Sequence, residues 1–269
     1  MNFIPSVLTI AGTDPSGGAG VQADLKTFQE LKSYGMSVIT SVVSQNTMGV
    51  QDVHHLPLSM IESQLNAVIK DIPVHAFKTG MIANVDMMKL IKEQIQHLTV
   101  PYVMDPVMVT TSGDTLINEE ARVFLRDELL PITTVVTPNI PEAEHLLNKK
   151  IETVDAMTLA AQEIVKEFGV KAALVKGGHM EGEAIDILYD GSEFYDFSSE
   201  RIETDNTHGT GCTLSAAMTA YLSQGNTLVE SVALAKQYIT LAIRHSLAIG
   251  HGSGPTNHWA PRIVKGVKV

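Results

Sequence analysis

The chain has 269 residues, 44% of them apolar and 18% charged, enough apolar material for one large core and too much for a disordered chain. Its formal charge of −11, from 30 acidic against 19 basic residues, opposes binding to nucleic acid or to an anionic membrane surface. The single cysteine, Cys212, excludes a disulfide framework and a CxxC metal site and suits a reducing compartment.

Ser6–Ala11 (SVLTIA) reads as a buried strand. No basic segment precedes it and no 18 apolar residues run together anywhere, so a soluble cytoplasmic protein is expected. Gly12–Gly20 is a glycine-rich turn, and Val21–Tyr34 carries helical periodicity through Val21, Leu25, Phe28 and Leu31. The alternation continues with a strand at Met36–Ser44, a helix at Ile61–Lys70, a strand at His75–Lys78 and a helix at Met87–His97. A strand at Tyr102–Met104, a helix at Glu119–Leu129 and a strand at Thr134–Thr137 follow. Helical stretches around Glu142–Leu147 and Ala156–Phe168 lead to a short strand, Ala172–Lys176. Ile185–Tyr189 and Phe194–Phe197, flanking Asp190-Gly191, predict a hairpin, and Thr210–Leu222 and Val229–Leu247 predict two long closing helices. This pattern predicts an α/β protein with a mostly parallel central sheet, a small antiparallel addition and helices on both faces. No linker or repeat divides residues 1–269, so a single domain is expected.

Two glycine-rich loops stand out. The first, Gly12-Thr13-Asp14-Pro15-Ser16-Gly17-Gly18-Ala19-Gly20, joins a strand to a helix, so its amides could face an anion or a polar ligand. It lacks the Lys-Ser/Thr ending of a Walker A loop. Gly18-x-Gly20-x-x-Ala23 matches a dinucleotide fingerprint, but the acid expected at the end of the second strand is replaced by Val43-Ser44-Gln45-Asn46. The second loop, Asn206-Thr207-His208-Gly209-Thr210-Gly211-Cys212-Thr213, runs into a small-residue helix start whose unpaired amides form a site for developing negative charge. A thiol at such a helix start is expected to ionise below its free pKa of about 8.5, although an unpaired cysteine is commonly just a small buried apolar residue.

Asp105 ends one strand and Asn139-x-x-Glu142 follows another, so both acids lie at carboxyl ends of parallel strands, where open α/β sheets place ligands. Hard oxygens there suit Mg²⁺, while a helix cap or a solvated acid is the plainer reading of either residue alone. Lys176-Gly177-Gly178-His179 sets a lysine beside glycines that let a phosphate approach. Lys78, at another strand end, is a weaker candidate for lining a pocket. The amide of Gln45 offers both a donor and an acceptor to a polar ligand, while a turn after the strand is the plainer reading of these residues. His54 and His55 are adjacent in a strand, point to opposite faces and cannot share a metal.

Asn206–Ala217 resembles the anion-hole signature of ribokinase-like kinases, and its cysteine resembles the branch that holds the hydroxymethylpyrimidine (phosphate) kinases of thiamine synthesis and the pyridoxal kinases. Most sugar kinases of that superfamily carry Asp at the position of Cys212. Thr137-Pro138-Asn139-Ile140-Pro141-Glu142 is similar to the superfamily's magnesium and phosphate motif, and Val103–Met108 to the pattern of the branch. The resemblance runs from Leu8 to about His258 and implies a ribokinase-like three-layer fold. It implies a Mg²⁺- and ATP-dependent kinase acting on a small molecule, with no nucleic-acid or membrane partner, and a homodimer, as is usual in that family. Cys212 would be the base for the acceptor hydroxymethyl group, with Gly209, Thr210 and Gly211 as the anion hole. Gln45, Asp24, Gly12, Ala19, Met81 and Val107 would line the substrate pocket. Lys176, Asn139 and Thr207 would contact ATP, and Asp105 and Glu142 would hold the metal. Gln45-Asn46-Thr47 resembles the pyrimidine kinases, whereas a related pyridoxal kinase group carries Met-Asp there. A pyridoxal kinase is therefore the nearest alternative; a non-catalytic vitamin-binding protein and a nicotinamide dehydrogenase are more distant ones. Thr110–Leu116 and Gly250–Asn257 are candidate lids by composition.

Overall fold

The computed structural model describes residues 3–108, 118–178, 180 and 182–264. An eight-stranded sheet has the order β10-β9-β8-β7-β6-β5-β1-β2. Its parallel part comprises β1 (Ser6–Ala11), β2 (Tyr34–Ile39), β5 (Ala76–Thr79), β6 (Tyr102–Met104), β7 (Val135–Val136) and β8 (Ala173–Lys176). The predicted hairpin, β9 (Ala184–Tyr189) and β10 (Phe194–Ser199), adds the antiparallel strands at one edge.

Alternate residues of each strand feed two cores, as the two-residue period of a strand demands. Leu8 and Ile10 of β1, Tyr102 and Met104 of β6 and Val175 of β8 face a layer made by α2 (Leu58–Ile69), α3 (Val85–Ile95), α4 (Glu119–Phe124), α5 (Ile140–Leu147) and α6 (Val154–Phe168). Val7, Val103, Val135 and Leu174 face α1 (Gly20–Glu30), α7 (Thr210–Ser223) and α8 (Leu228–Arg244). The chain leaves β1 for β2 on one side and returns to β5 on the other, which opens a crevice at the carboxyl ends of β1 and β5. A short helix, α9 (Ala260–Ile263), packs on α8. No helix among the described residues is long and apolar enough to cross a membrane.

Two elements differ from the sequence expectation. The strand expected at Met36–Ser44 breaks at Thr40, whose amide bonds the Ala11 carbonyl at 3.0 Å. Beyond it the chain leaves the sheet as β3 (Ser41–Asn46) and pairs with β4 (Gly49–His55) in a separate antiparallel hairpin with a bulge between Ser44 and Gln45. The helix expected over Glu119–Leu129 is α-helical only to Phe124; a π-helical turn, Leu125–Leu129, and a 3₁₀ turn containing Pro131 follow, since that proline's missing N–H prevents α continuation. The stretch Thr110–Leu116 lies outside the described residues. Gly250–Asn257 is tied down: the amides of His251 and Gly252 donate to Thr47 Oγ1, each at 3.2 Å, and Gly254 N–H donates to Asn206 Oδ1 at 3.0 Å.

Candidate active site

The two glycine-rich loops meet at the carboxyl edge of the sheet. Gly209, the residue before α7, has φ +80°, and a Cβ there would collide with the Gly18 carbonyl, so the contact between the loops requires glycine. Asp14 clasps the pair. Its carboxylate accepts from the Gly18 and Ala19 amides at 3.0 and 2.7 Å and from Ser16, and lies 2.7 Å from His208 Nε2. Burial works against this charge, but His208, Ser16 and the nearby Gln45 amide hold the carboxyl far below the usual range. Gln45 stands on β3, and the Cβ position of Gly12 lies 2.9 Å from Met81 Cε.

Helix α7 begins without a side-chain cap, and the amides of Gly211 and Cys212 have no acceptor among the described residues. Thr210 N–H donates to the Thr207 carbonyl at 3.2 Å, which shapes the turn. The Gly211 Cβ position lies 3.3 Å from Lys176 Nζ and 3.6 Å from Asp105 Oδ2, so the bare amides open onto a lysine–carboxylate pair. Lys176 Nζ and Asp105 Oδ1 are 3.1 Å apart, and both side chains are nearly buried. Although burial opposes it, Lys176 and Lys78 keep Asp105 ionised below the usual carboxylate range. Glu142 forms a capping box with Asn139, each side chain taking the other's amide at 2.8 and 2.9 Å. Burial, with Asp105 as a like charge and Lys176 opposing, pushes its carboxyl up to about 7.

Beneath this floor lies a second charged group. Lys78 Nζ, with no solvent exposure, is 2.7 Å from Asp24 Oδ1, 2.7 Å from Ser215 Oγ and 3.4 Å from the Cys212 carbonyl. Ser215 Oγ spans from that carbonyl (3.0 Å) to Asp105 Oδ2 (3.3 Å). Asp24 therefore sits under the crevice, both oxygens engaged, the second by Thr9 Oγ1 at 2.6 Å, and does not line it. Against burial, the surrounding carboxylates hold the Lys78 ammonium above the usual lysine range.

Cys212 belongs to the first turn of α7. Expected to ionise easily, the thiol is instead pushed up to about 12 by burial, with Asp105 and Asp24 adding to the shift and Lys78 opposing it. The residue keeps partial solvent contact, so a ligand can reach it. Val107, half-buried, follows Asp105 in a tight turn whose amide returns to the Asp105 carbonyl at 2.8 Å.

This edge thus brings together helix-start amides without an acceptor among the described residues, a lysine, two acids and a thiol. A family model described as phosphomethylpyrimidine kinase matches residues 14–257, a span that contains all of these groups. The chain belongs to the phosphomethylpyrimidine kinase family. Among curated proteins, the hydroxymethylpyrimidine/phosphomethylpyrimidine kinase of Staphylococcus aureus (strain MSSA476) is 46% identical over 256 residues, 94% of this chain and 93% of that one. The phosphomethylpyrimidine kinase of Clostridium difficile 630 is 44% identical, with a TM-score of 0.80 over 89% of this chain and 99% of that one. The ADP complex of Bacillus subtilis pyridoxal kinase is 40% identical, with a TM-score of 0.91 over 97% and 100%. This kinase family uses ATP, and the fold is the ribokinase-like one expected.

Several residues that build this candidate site carried no assigned role in the sequence. Asp14 and His208 were visible only as members of their loops, and Ser215 only as a small helix residue. Lys78 did leave a signal: a lone charge in the apolar strand Ala76–Thr79 must find a buried partner.

Proposed function

We propose that the chain transfers the terminal phosphoryl group of ATP first to 4-amino-5-hydroxymethyl-2-methylpyrimidine and then to the resulting monophosphate, in thiamine synthesis. The observation that carries this reading is the uncapped start of α7 opening onto Lys176 and Asp105, an arrangement suited to the equatorial oxygens of a phosphoryl group in flight. Lys176 supports the ATP phosphates, and the Gly211 and Cys212 amides take up charge as it develops. Gln45, on its hairpin, offers the donor and acceptor that an aminopyrimidine ring requires.

Cys212 is the base proposed for the first transfer and acts as the thiolate. Its thiol rests protonated near neutral pH, so that proton must leave to solvent before the sulfur takes up the hydroxyl proton, and offsetting the charge of Asp105 would relax one of the pushes that hold it. The second acceptor, a phosphate monoester, is already ionised and needs little help from a base.

Asp105 and Glu142 are the oxygen ligands proposed for Mg²⁺. Lys176 pairs with Asp105 and Lys78 also acts on it, while burial and, after it, the like charge of Asp105 hold the Glu142 carboxyl up; a divalent cation, which takes hard carboxylate oxygens, would favour the ionised form of both acids. Bound with ATP, such an ion would neutralise phosphate charge. Asn139 and Thr207 complete the proposed nucleotide contacts, and a cytoplasmic homodimer is the proposed assembly, to be checked by light scattering.

A pyridoxal kinase is the second reading, favoured by the 0.91 likeness to the Bacillus subtilis enzyme. Steady-state ADP release with Mg-ATP separates the two. A higher kcat/KM with the aminopyrimidine alcohol than with pyridoxal is expected; the reverse order would overturn the assignment, and activity surviving complete removal of divalent cations would overturn the role of Mg²⁺.

A further inference from the structure

Lys176 is followed at once by Gly177, and what fixes Gly177 comes from β9 and α8, elements that carry none of the site residues above. Lys176 of β8 stands opposite Asp186 of β9 in register. The Gly177 amide donates to Asp186 Oδ1 at 3.0 Å, and Asp186 Oδ2 meets Lys236 Nζ of α8 at 2.8 Å. Lys236 Nζ also donates to the Ala184 carbonyl at 2.9 Å. The Asp186 and Lys236 side chains are 7% and 11% exposed. A Cβ at Gly177 would overlap the Ile185 carbonyl, so the chain after Lys176 is pressed against β9 in a way only glycine permits.

A buried ion pair adds little stability over apolar side chains of the same shape, because desolvation offsets its attraction. Stability therefore does not account for this pair, whereas its third contact does. Lys236 fixes one carboxylate oxygen so that the other is presented to Gly177.

We propose that Asp186 and Lys236 are positioning residues for nucleotide phosphates: by fixing Gly177 they fix the end of β8 from which Lys176 reaches Asp105. This rests on the reading of Lys176 as the lysine that supports the ATP phosphates. Strand order makes the effect selective. β8 is separated from β1, which leads into the Gly12–Gly20 loop beside the proposed substrate pocket, by β7, β6 and β5, so a disturbance at Gly177 falls on the nucleotide and spares the pyrimidine.

The test uses the full-length protein, with steady-state kinetics for both substrates, titration with Mg-ADP and thermal melting. Replacing both partners (Asp186→Leu with Lys236→Met) keeps the fold and removes the Gly177 acceptor. It is expected to raise KM for Mg-ATP by about tenfold or more while KM for the aminopyrimidine alcohol stays within about twofold. Asp186→Asn with Lys236→Met restores an acceptor for Gly177 and is expected to regain most of the nucleotide affinity. Equal rises in both KM values, no rise for Mg-ATP, or no recovery with Asn would each overturn the proposal. Should the Leu/Met pair fail to fold, Lys236→Met alone is read in the same way: a selective rise in the Mg-ATP KM supports the proposal and its absence overturns it. Lys176→Met separates the two layers of the argument. Unweakened Mg-ADP binding in that variant would remove the reading of Lys176 itself, whereas weakened binding there beside normal binding in the folded Leu/Met pair would sink the positioning role alone.

Discussion

Helices α5 and α7 start at the same edge of the sheet and both flank Lys176, yet their first turns are opposites. At α5 the free amides are claimed by the chain itself, through the Asn139–Glu142 capping box. At α7 the preceding residue is a glycine at φ +80°, and no side chain caps the turn. The same backbone dipole is thus used for stability in one place and left available for a ligand in the other. A fold with α7 capped as α5 is would be no less stable, and it would lack the place proposed for a phosphoryl group.

The largest effect expected from this contrast is at Cys212. Cys212→Ala should slow phosphorylation of the alcohol by about 10²- to 10⁴-fold, the usual worth of a general base, and slow the second transfer far less; equal losses in single-turnover assays of the two steps would break the assigned role.

Next comes His258, which props the α7 start by placing Nε2 3.1 Å from Thr213 Oγ1 while its carbonyl accepts from Tyr238. Burial pushes its imidazole down to about 4 from an ordinary 6.5. The unfolded chain takes up a proton near 6.5 and the folded one only near 4. The stability held in full above 6.5 should therefore fall by about 3 kcal/mol as pH drops across that window, and level off below it. Urea titrations at stepped pH measure this slope, and His258→Gln should flatten it; a slope unchanged in the variant would assign the loss elsewhere.

Gly209→Ala forces a side chain into the Gly18 carbonyl at a left-handed φ, and about 2 kcal/mol or more of stability should go with it, along with activity. An active, equally stable variant would mean that the two loops can part without harm.

The smallest effect sharpens the other side of the comparison. Asn139→Ala should cost about 1 kcal/mol by loss of the cap, and Asn139→Asp should keep most of it. A large change in the Mg-ATP KM with no loss of stability would show α5 to be a ligand site first and a capped helix second.

Alternation of strands and helices, the glycine loops and the antiparallel hairpin were legible because each is written in local spacing. The break at Thr40 was not, because Met36 to Ser44 is one unbroken run of strand-forming residues, and the partner that draws its second half away, β4, is a mostly exposed strand with no apolar face to announce it. Side-chain charges that meet across the fold were equally hidden. Lys78 finds Asp24 from 54 positions away and Lys236 finds Asp186 from 50, distances at which no motif can speak. The thiol went astray for a related reason: the helix start that favours its ionisation is visible in sequence, while the packing and the two carboxylates that oppose it come from elsewhere in the chain.

The hairpin that peels away from the sheet at Thr40 bears on how such enzymes diverge. The side chain proposed to read the heterocycle rides on a two-stranded arm, whereas Lys176, proposed to support the phosphates, stands in the eight-stranded sheet. On that proposal, a lineage retunes which precursor it accepts by changing a handful of positions on the arm while leaving the transfer machinery untouched, and a graft of β3 and β4 between paralogues is the natural way to follow that drift.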